Sequence, residues 1–440
     1  MNKNKAIQWL YTELPSLERA GIVSQDTVMR LYEYYGPVSI RSRRQLTKVL
    51  LGVLGAALIG LGVILLLAHN WDALSRPTKT ALSFLPLLAG QLAAGFTLLR
   101  RYSSPAWREG SGIYLALSIG ASISLISQTY HITGDATSFL LTWTVLAGPL
   151  IYLLQSFTVA LLYLAGITYW LGLCRFEYGP LWLFLPLALF IVPYVRSLFK
   201  ENPDGFRIRL LCWELCIILP IIAGLLLQYS VPGVWILVYS GLFCAMLLHG
   251  RALLRDSRNN AFYIAGFLGL IVVSLALTYE ATWEAVDTFY VEGGLDKHPW
   301  TFWYDCGVAV VFLGAGLLPA ARGPGRRDDF ALLAGAMPLI AAACLAARYL
   351  GVPSIGLVAV FNLYLLVFGV TTLLQGLSRD KLLTANGGMA ILSMLIIVRF
   401  FDANISFTIR GMLFIALGIA FLIANVALMR RAALKKEVSK

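Results

Sequence analysis

The chain has 440 residues and a formal net charge of +12, and 59% of its residues are hydrophobic against 13% charged. A soluble domain normally carries about 25% charged residues, so this composition excludes an ordinary soluble protein. Apolar runs of about 20 residues recur along most of the chain, and a run of that length crosses the roughly 30 Å hydrocarbon core of a bilayer. We therefore predict an all-α fold, a polytopic transmembrane helical bundle of about 14 helices with a short N-terminal cytoplasmic helical hairpin.

Residues 1–47 are charged and polar, and they predict a small cytoplasmic domain made of a helical hairpin and a basic juxtamembrane segment. Within it, Gly21 ends the first helical pattern and Ser24 is suited to cap the second helix. This hairpin is a candidate surface for a membrane or cytoplasmic protein partner. The predicted domains that follow are the transmembrane domain at 48–430 and a basic cytoplasmic tail at 431–440.

The transmembrane domain contains fourteen predicted spans. Their ranges are 50–69, 80–99, 112–130, 138–154, 157–174, 180–195, 210–227, 234–248, 261–279, 303–321, 330–347, 352–374, 382–398 and 405–428. With both termini in the cytoplasm, the alternating loops place 28 of the 35 lysines and arginines on the cytoplasmic side. This asymmetry agrees with the positive-inside rule. It assigns the excess charge to topology, so the expected partner is the lipid bilayer and no nucleic acid.

The longest outer loop, 280–302, is acidic and contains Trp283, Phe289, Tyr290 and Trp300. Aromatic side chains at that depth are typical of the belt at the membrane–water interface. An amphipathic segment that lies on the outer surface is therefore expected in this loop.

Two polar clusters are predicted at the outer ends of the first and third spans, and their members are the candidate ligand-binding residues. These members are His69, Asn70, Trp71, Asp72, Gln128, Tyr130, His131 and Asp135. The alternative interpretation is structural, because polar residues at the ends of helices commonly cap the next helix.

Small or polar residues recur every four positions on the third predicted span. They are Gly112, Ala116, Gly120, Ser124 and Gln128. Such a stripe permits close helix contact, so it predicts a span inside the bundle with Gln128 at the end of a packed seam. The first span has a similar stripe. If the two stripes meet, Asp72 approaches His131, and a carboxylate can orient and charge an imidazole.

Charges inside a bilayer are costly unless they are paired or functional, so four ionisable residues of the outer half are expected to form intramembrane ion pairs. They are Asp305, Arg399, Asp402 and Arg410. Glu214 lies toward the cytoplasmic end of its span and is a candidate proton site. Alternatively, it pairs with Arg207, which shares its helix face.

No chemical motif accompanies these residues. The six cysteines lie in or beside apolar runs without histidines at metal-ligand spacing. A phosphate loop, a dinucleotide fingerprint, a zinc-protease helix and a serine nucleophile elbow are all missing from the sequence. No catalytic residue, no cofactor and no metal site are therefore predicted, and the pattern favours a protein that is not an enzyme.

Several segments resemble bacterial predicted membrane proteins catalogued as domain of unknown function 2157. They are "AGIVS" and "LYEYYG" near the N-terminus, "LLAHNWDALSRPTKT" at 66–80 and "SQTYHITGD" at 127–135. The later half, with "WYDCGVAVVFLGAGLL" at 303–318 and "RGMLFIALGIAFLIANVALMRR" at 410–431, is similar to the related family numbered 4401. The resemblance implies a multi-pass protein of the bacterial cytoplasmic (inner) membrane and brings no established activity. It also implies that the two outer clusters belong to the family pattern.

Three classes of function remain open. The first is a transporter or flippase-like protein with an outward-facing polar site, which requires a polar cavity reaching from the outer clusters into the membrane. The second is a non-catalytic membrane anchor or sensor subunit of a complex, for which a solid apolar core suffices. The third is a transferase for a lipid-linked substrate that uses Asp72 at the outer face, and it requires a groove with sideways access for lipid.

Overall fold

The structure is a computed structural model. It describes residues 3–35, 71–176, 179–201, 205–253, 260–288, 299–321, 329–378 and 382–400, with a few single positions between 408 and 419. Within these ranges the chain forms helices and their connecting turns, which confirms the predicted all-α class. The first predicted span at 50–69 and most of the last at 405–428 lie outside the described residues. The same holds for four predicted site residues, His69, Asn70, Asp402 and Arg410.

The chain divides into two compact units, residues 1–81 and 82–440. The first contains the predicted hairpin, made of α1 (Lys3–Arg19) and α2 (Gln25–Tyr35). Gly21 joins the two helices with a φ of +69°, which glycine adopts without strain. Ser24 caps α2 as expected, because its Oγ accepts a hydrogen bond of 3.3 Å from the backbone N–H of Thr27. Buried Leu14 forms part of the hairpin interior.

The second unit is a helical bundle whose first helix begins in the preceding unit. Its helices are α3 (Arg76–Arg100), α4 (Pro105–Tyr130), α5 (Ala136–Ala147), α6 (Leu150–Leu153), α7 (Phe157–Phe176), α8 (Phe184–Glu201), α9 (Phe206–Leu226), α10 (Val234–Leu253), α11 (Ala261–Ala276), α12 (Glu280–Thr288), α13 (Pro299–Ala321), α14 (Asp329–Tyr349), α15 (Ser354–Ser378) and α16 (Leu382–Phe400).

Ten helices among the described residues are long and apolar enough to cross a membrane. An eleventh candidate is the pair α11 and α12, which is bent by 84° at its break, and Thr384–Phe400 is a shorter apolar helix. Each of these twelve segments corresponds to one predicted span. The two remaining predicted spans are those outside the described residues.

The segment at Glu280–Thr288 differs from the prediction for the outer loop. It is a short helix, α12, but Trp283 is fully buried instead of lying at an interface. Its indole N–H donates to the carbonyl of Leu277 at 2.9 Å, and its ring packs beside Phe361 with 6.0 Å between centroids. The sharp bend after α11 turns this side chain back into the core, and an aromatic-belt interpretation of the sequence does not anticipate such a bend.

Helices of the second unit approach most closely at glycines. A Cβ added to Gly266 of α11 would lie 2.4 Å from the backbone nitrogen of Leu247 in α10, and one added to Gly241 would lie 2.5 Å from the carbonyl oxygen of Phe312 in α13. Membrane helices commonly use small residues to bring their backbones together. Both α11 and α13 therefore pack directly on the backbone of α10.

The small-residue stripe of α4 is packed over only half its length. Gly112 and Gly120 are buried, with an added Cβ meeting Ser156 at 3.0 Å and the Trp143 ring at 2.8 Å. Between them the carbonyl of Ala116 accepts from the Trp143 indole at 2.7 Å. Ser124 and Gln128 are exposed in the structure. The predicted packed seam thus ends before Gln128, because Ser156 and Trp143 cover the stripe only as far as Gly120.

All six cysteines are free thiols, and five of them are buried while Cys306 is partly exposed. The Cys244 thiol sits where α10, α13 and α14 meet, within hydrogen-bond distance of the carbonyls of Gly316 (3.5 Å) and Ala334 (3.3 Å). It fills a tight three-helix contact as a small, weakly polar side chain.

Candidate functional site

Two groups of linked polar side chains lie at opposite ends of the second unit. Glu109, five residues into α4, binds the start of α7, so these two helices begin at one end, which we call the Glu109 end. Arg175 in the last turn of α7 therefore lies at the opposite end, called the Arg175 end, together with the connection after α9. Each end has one organised polar arrangement that the sequence analysis did not identify.

At the Glu109 end, one carboxylate links three helices. Glu109 accepts hydrogen bonds from the backbone N–H groups of Phe157 (3.1 Å) and Thr158 (2.9 Å) and from the Ser156 hydroxyl (2.8 Å). The Arg207 guanidinium of α9 lies 3.3 Å from the same carboxylate. Glu109 thus caps α7 from a neighbouring helix and holds α9 beside it. The pairing of Arg207 with Glu214 that the sequence suggested is replaced by this contact.

At the Arg175 end, a cleft of about 510 Å³ opens between the ends of α7 and α9. Its lining residues are Arg175, Phe176, Ile221, Gly224, Leu225 and Tyr229. This lining combines one guanidinium and one phenol with an apolar wall. The volume falls in the range of about 300–1,000 Å³ that is typical of small-ligand sites.

The Arg175 guanidinium is held in place by the connection between α9 and α10. Its Nη1 donates to the side-chain oxygen of Gln228 at 3.1 Å. The backbone there is fixed in turn by Asp305 of α13, which accepts from the N–H of Gln228 at 2.8 Å and from the N–H of Ser230 at 2.7 Å. Tyr229 between these two donors has a φ of +58°. Successive N–H groups around a left-handed residue form a concave anion site, and here the Asp305 carboxylate occupies it.

This arrangement leaves the arginine available to a ligand. Asp305 is completely buried, and its two oxygens are engaged by backbone N–H groups instead of by Arg175. A guanidinium has five N–H donors, of which the Gln228 bond uses one. The geometry therefore presents a fixed positive charge to the cleft. It also replaces the expected Asp305–arginine pair, because the backbone turn supplies the donors that a buried carboxylate needs.

The predicted second cluster lies at the Arg175 end as well, since α4 and α7 run side by side in the same direction. Gln128, Tyr130, His131 and Asp135 are exposed. His131 ends α4 in a left-handed conformation with a φ of +52°, and Asp135 caps α5 by accepting from the N–H of Ser138 at 3.2 Å. Both residues therefore occupy helix-capping positions, and no contact joins either of them to the cleft among the described residues.

The predicted first cluster is described only in part. Trp71 and Asp72 belong to a single 3-10 turn at Trp71–Ala73. The Lys79 ammonium lies 6.0 Å from the centre of the Trp71 ring, within reach of a cation–π contact. His69 and Asn70 are outside the described residues, as is the side chain of Asp72. Ligand binding by this cluster therefore stays a prediction.

The remaining predicted ionisable residues have separate settings. Arg399 donates to the carbonyl and hydroxyl of Thr278 at 2.7 and 2.8 Å, and it stacks over the Tyr279 ring at 5.2 Å. Glu214 lies in α9, and its buried Oε2 makes no hydrogen bond within the described part of the chain. Because Glu214 precedes Ile221 by seven residues, the two share a helix face, with Glu214 about 10 Å deeper in the span.

Asp135 provides a test of capping against ligand binding. Its hydrogen bond from Ser138 holds the pKa of this carboxyl below its ordinary value. A carboxyl with a lowered folded pKa stabilises the fold at neutral pH and loses that contribution as the pH falls through the folded value. We expect Asp135→Ala to reduce the unfolding midpoint slightly at pH 7, with the difference shrinking in the acid range, below the ordinary aspartate pKa.

The matched control is Asp135→Asn, which keeps the capping oxygen but cannot titrate. Its midpoint should stay near the wild-type value at pH 7 and should lack the acid-dependent loss. Tryptophan fluorescence of the detergent-purified protein measures both midpoints. An Asp135→Ala variant with an unchanged midpoint at pH 7 would contradict the capping role.

Residues 15–160 match the model of a family described as Predicted membrane protein (DUF2157). No match was found among curated proteins or solved structures. The matched range contains Glu109 and the second predicted cluster, whereas Arg175, Gln228 and Asp305 follow it in the chain. The resemblance to the family numbered 4401 stays an expectation. Over residues 15–160, the chain thus matches the DUF2157 family of predicted membrane proteins, as the sequence motifs indicated.

Proposed function

We propose that this membrane protein binds the anionic group of a ligand in the Arg175 cleft, in a transporter or flippase-like role. The observation that carries the proposal is the cleft itself, in which a guanidinium fixed by Gln228 faces an apolar wall at the end of two membrane spans. Arginine is the side chain best suited to phosphate and carboxylate groups, because its planar fork binds two oxygens at once.

Glu214 supports a transport role over a purely structural one. It shares a helix face with the cleft-lining Ile221, and its Oε2 has no hydrogen-bond partner within the described residues. An ionisable side chain inside a membrane span is a functional candidate by default. It remains the candidate proton site.

The proposed orientation places the Arg175 end outside the cytoplasm. This follows from the distribution of the basic residues, of which 28 of 35 lie in the segments assigned to the cytoplasm when both termini are inside. The Glu109 end then faces the cytoplasm. For a bacterial protein the membrane would be the inner membrane, as the family resemblance implies.

Removal of the Arg175 charge tests the proposed binding. A ligand that binds only the folded state raises the unfolding midpoint. We expect phosphate, glycerol 3-phosphate or phosphatidylglycerol, tested separately on purified protein, to raise the midpoint of the wild type. The shift should be lost in Arg175→Gln, because glutamine keeps a hydrogen-bonding side chain but not the charge. Fluorescence-monitored thermal unfolding in a non-ionic detergent measures these shifts.

The control variant is Arg196→Gln, which removes the same charge from an exposed position of α8. It should keep the ligand-induced shift of the wild type. If every anion shifts Arg175→Gln as much as the wild type, the proposed site is rejected. A transport role requires in addition that a fluorescent phosphatidylglycerol cross the bilayer of proteoliposomes faster with wild type than with Arg175→Gln.

The hairpin supports a second candidate, the non-catalytic anchor or sensor subunit. Trp9, Ile22, Met29 and Tyr34 expose between 63% and 82% of their surface. Four large exposed apolar side chains on a hairpin of this size favour a partner-binding role. The transferase hypothesis gains no comparable support, because the Asp72 side chain lies outside the described residues.

A further inference from the structure

We infer that the anion bound in the Arg175 cleft is the headgroup of a membrane phospholipid, which reaches the cleft sideways from the bilayer with its acyl chains along α9. The inference rests on the proposed function, and it specifies the ligand class and the route by which that ligand arrives. Three features of the cleft lead to it: its apolar surroundings, its depth in the membrane and its fixed charge.

The first feature is a continuous apolar row on α9 that ends in the cleft. Its members are Phe206, Leu210, Trp213, Ile217 and Ile221, and each of them is exposed. Their spacing of three or four residues places them on one helix face. Ile221 also lines the cleft. An exposed apolar row on a membrane span faces acyl chains, so the cleft is continuous with a lipid-facing surface.

The second feature is the depth of the cleft. It lies beside Phe176 and Leu225, at the last turns of α7 and α9. The ends of membrane spans coincide with the headgroup region of the bilayer. Phe176 is 79% exposed at the rim, where an aromatic ring is suited to the boundary between acyl chains and headgroups. A lipid phosphate therefore lies at the depth of Arg175 without leaving the membrane.

The third feature separates a built site from an arginine that merely extends toward water. Long basic side chains at helix ends commonly reach the interface without a fixed partner. Arg175 instead bonds to Gln228, whose backbone N–H is bound by buried Asp305. The guanidinium is thereby held over an apolar wall. A soluble ion would find few other polar partners there, whereas a phospholipid would place its phosphate on the guanidinium and its acyl chains on the apolar wall.

Native mass spectrometry of the detergent-purified protein tests this inference. The ligands are anionic dioleoylphosphatidylglycerol and dioleoylphosphatidylcholine, which has the same acyl chains and no net charge. Glycerol 3-phosphate serves as the anion without acyl chains. We expect the wild type to retain phosphatidylglycerol at least about fivefold more than phosphatidylcholine, in line with a charge-assisted contact. Excess glycerol 3-phosphate should displace little of it.

Two pairs of variants separate charge from chain contact. Arg175→Gln should reduce the ratio of retained phosphatidylglycerol to retained phosphatidylcholine to about one. Arg196→Gln should preserve the wild-type ratio. Ile217→Ser places a hydroxyl on the proposed chain path and should lower retention of both lipids about threefold, in keeping with the loss of one apolar contact. Val272→Ser, on an exposed position of α11, should leave retention unchanged.

The outcomes distinguish this inference from the proposed function. If glycerol 3-phosphate binds as well as the lipid in an Arg175-dependent manner, and Ile217→Ser changes nothing, the anion site stands and the lipid inference is overturned. If Arg175→Gln retains the full preference for phosphatidylglycerol, both the site and the inference fail. Equal loss in Ile217→Ser and Val272→Ser would show a general effect of polar substitutions and would also reject the proposed chain path.

Discussion

Glu109→Ala is expected to reduce the stability of the second unit by about 3 kcal/mol. Hydrogen bonds to a charged group contribute about 1.5–3 kcal/mol each, and water reaching this partly exposed position replaces part of the loss. The substitution leaves the N–H groups of Phe157 and Thr158 without their acceptor. It also removes the counter-charge from Arg207, whose side chain is only 36% exposed. The start of α7 and its contact with α9 should loosen, and the unfolding midpoint in detergent should fall by several degrees.

Two further variants show whether the geometry of this carboxylate matters. Glu109→Gln keeps one acceptor oxygen and should lose less than the alanine variant. Glu284→Ala removes a carboxylate from an exposed position of α12 and should leave the midpoint near the wild-type value. If Glu109→Ala is as stable as Glu284→Ala, the contacts of Glu109 with α7 and α9 contribute nothing to the free energy of unfolding.

The second large effect is expected at Gly266, where the added methyl group of Gly266→Ala has no space. It would lie 2.4 Å from the nitrogen of Leu247 and 2.7 Å from the carbonyl oxygen of Phe243. These are backbone atoms, so α10 and α11 must move apart to accept it. Overpacking of this kind costs about 3 kcal/mol. We expect a lower unfolding midpoint and a smaller yield of monodisperse protein on size-exclusion chromatography.

Gly314→Ala is the matched control because nothing lies within 4 Å of an added Cβ at this position of α13. Alanine favours a helix over glycine by about 1 kcal/mol, so this variant should match or slightly exceed the wild-type stability. The same chemical change is therefore expected to have opposite signs at the two sites. If Gly266→Ala and Gly314→Ala have the same unfolding midpoint, α10 and α11 do not approach as closely as described.

The membrane spans were predictable because hydrophobic length is a local property of the sequence. The span predicted at 157–174 corresponds to the helix Phe157–Phe176, although only two residues separate it from the preceding predicted span. The sharp bend between Ala276 and Glu280 was not predicted. Its determinants are non-local: Trp283 packs beside Phe361, and Glu280 accepts a hydrogen bond from Ser354 at 2.7 Å.

The sequence predicted a polar site at the ends of membrane spans, but it selected residues other than those of the Arg175 cleft. Sequence reasoning selected residues by their polarity at span ends, which favoured His131 and Asp135, and the structure gives these two capping positions. The Arg175 site depends on contacts across 53 and 77 positions of the chain, from Arg175 to Gln228 and from Gln228 to Asp305. An available signal was the pair of charges, Arg175 and Asp305, near the ends of two otherwise apolar spans.

The burial of the cysteines gives this protein a low background for chemical mapping of its topology. Of the six thiols only Cys306 is partly exposed, and bulky maleimides react poorly with thiols enclosed by packed side chains. A Cys306→Ser protein should therefore be almost silent toward such reagents while keeping its native helix contacts. A cysteine introduced at exposed Ser103 near the Glu109 end, or at exposed Thr133 near the Arg175 end, then reports which end faces the outside of intact cells.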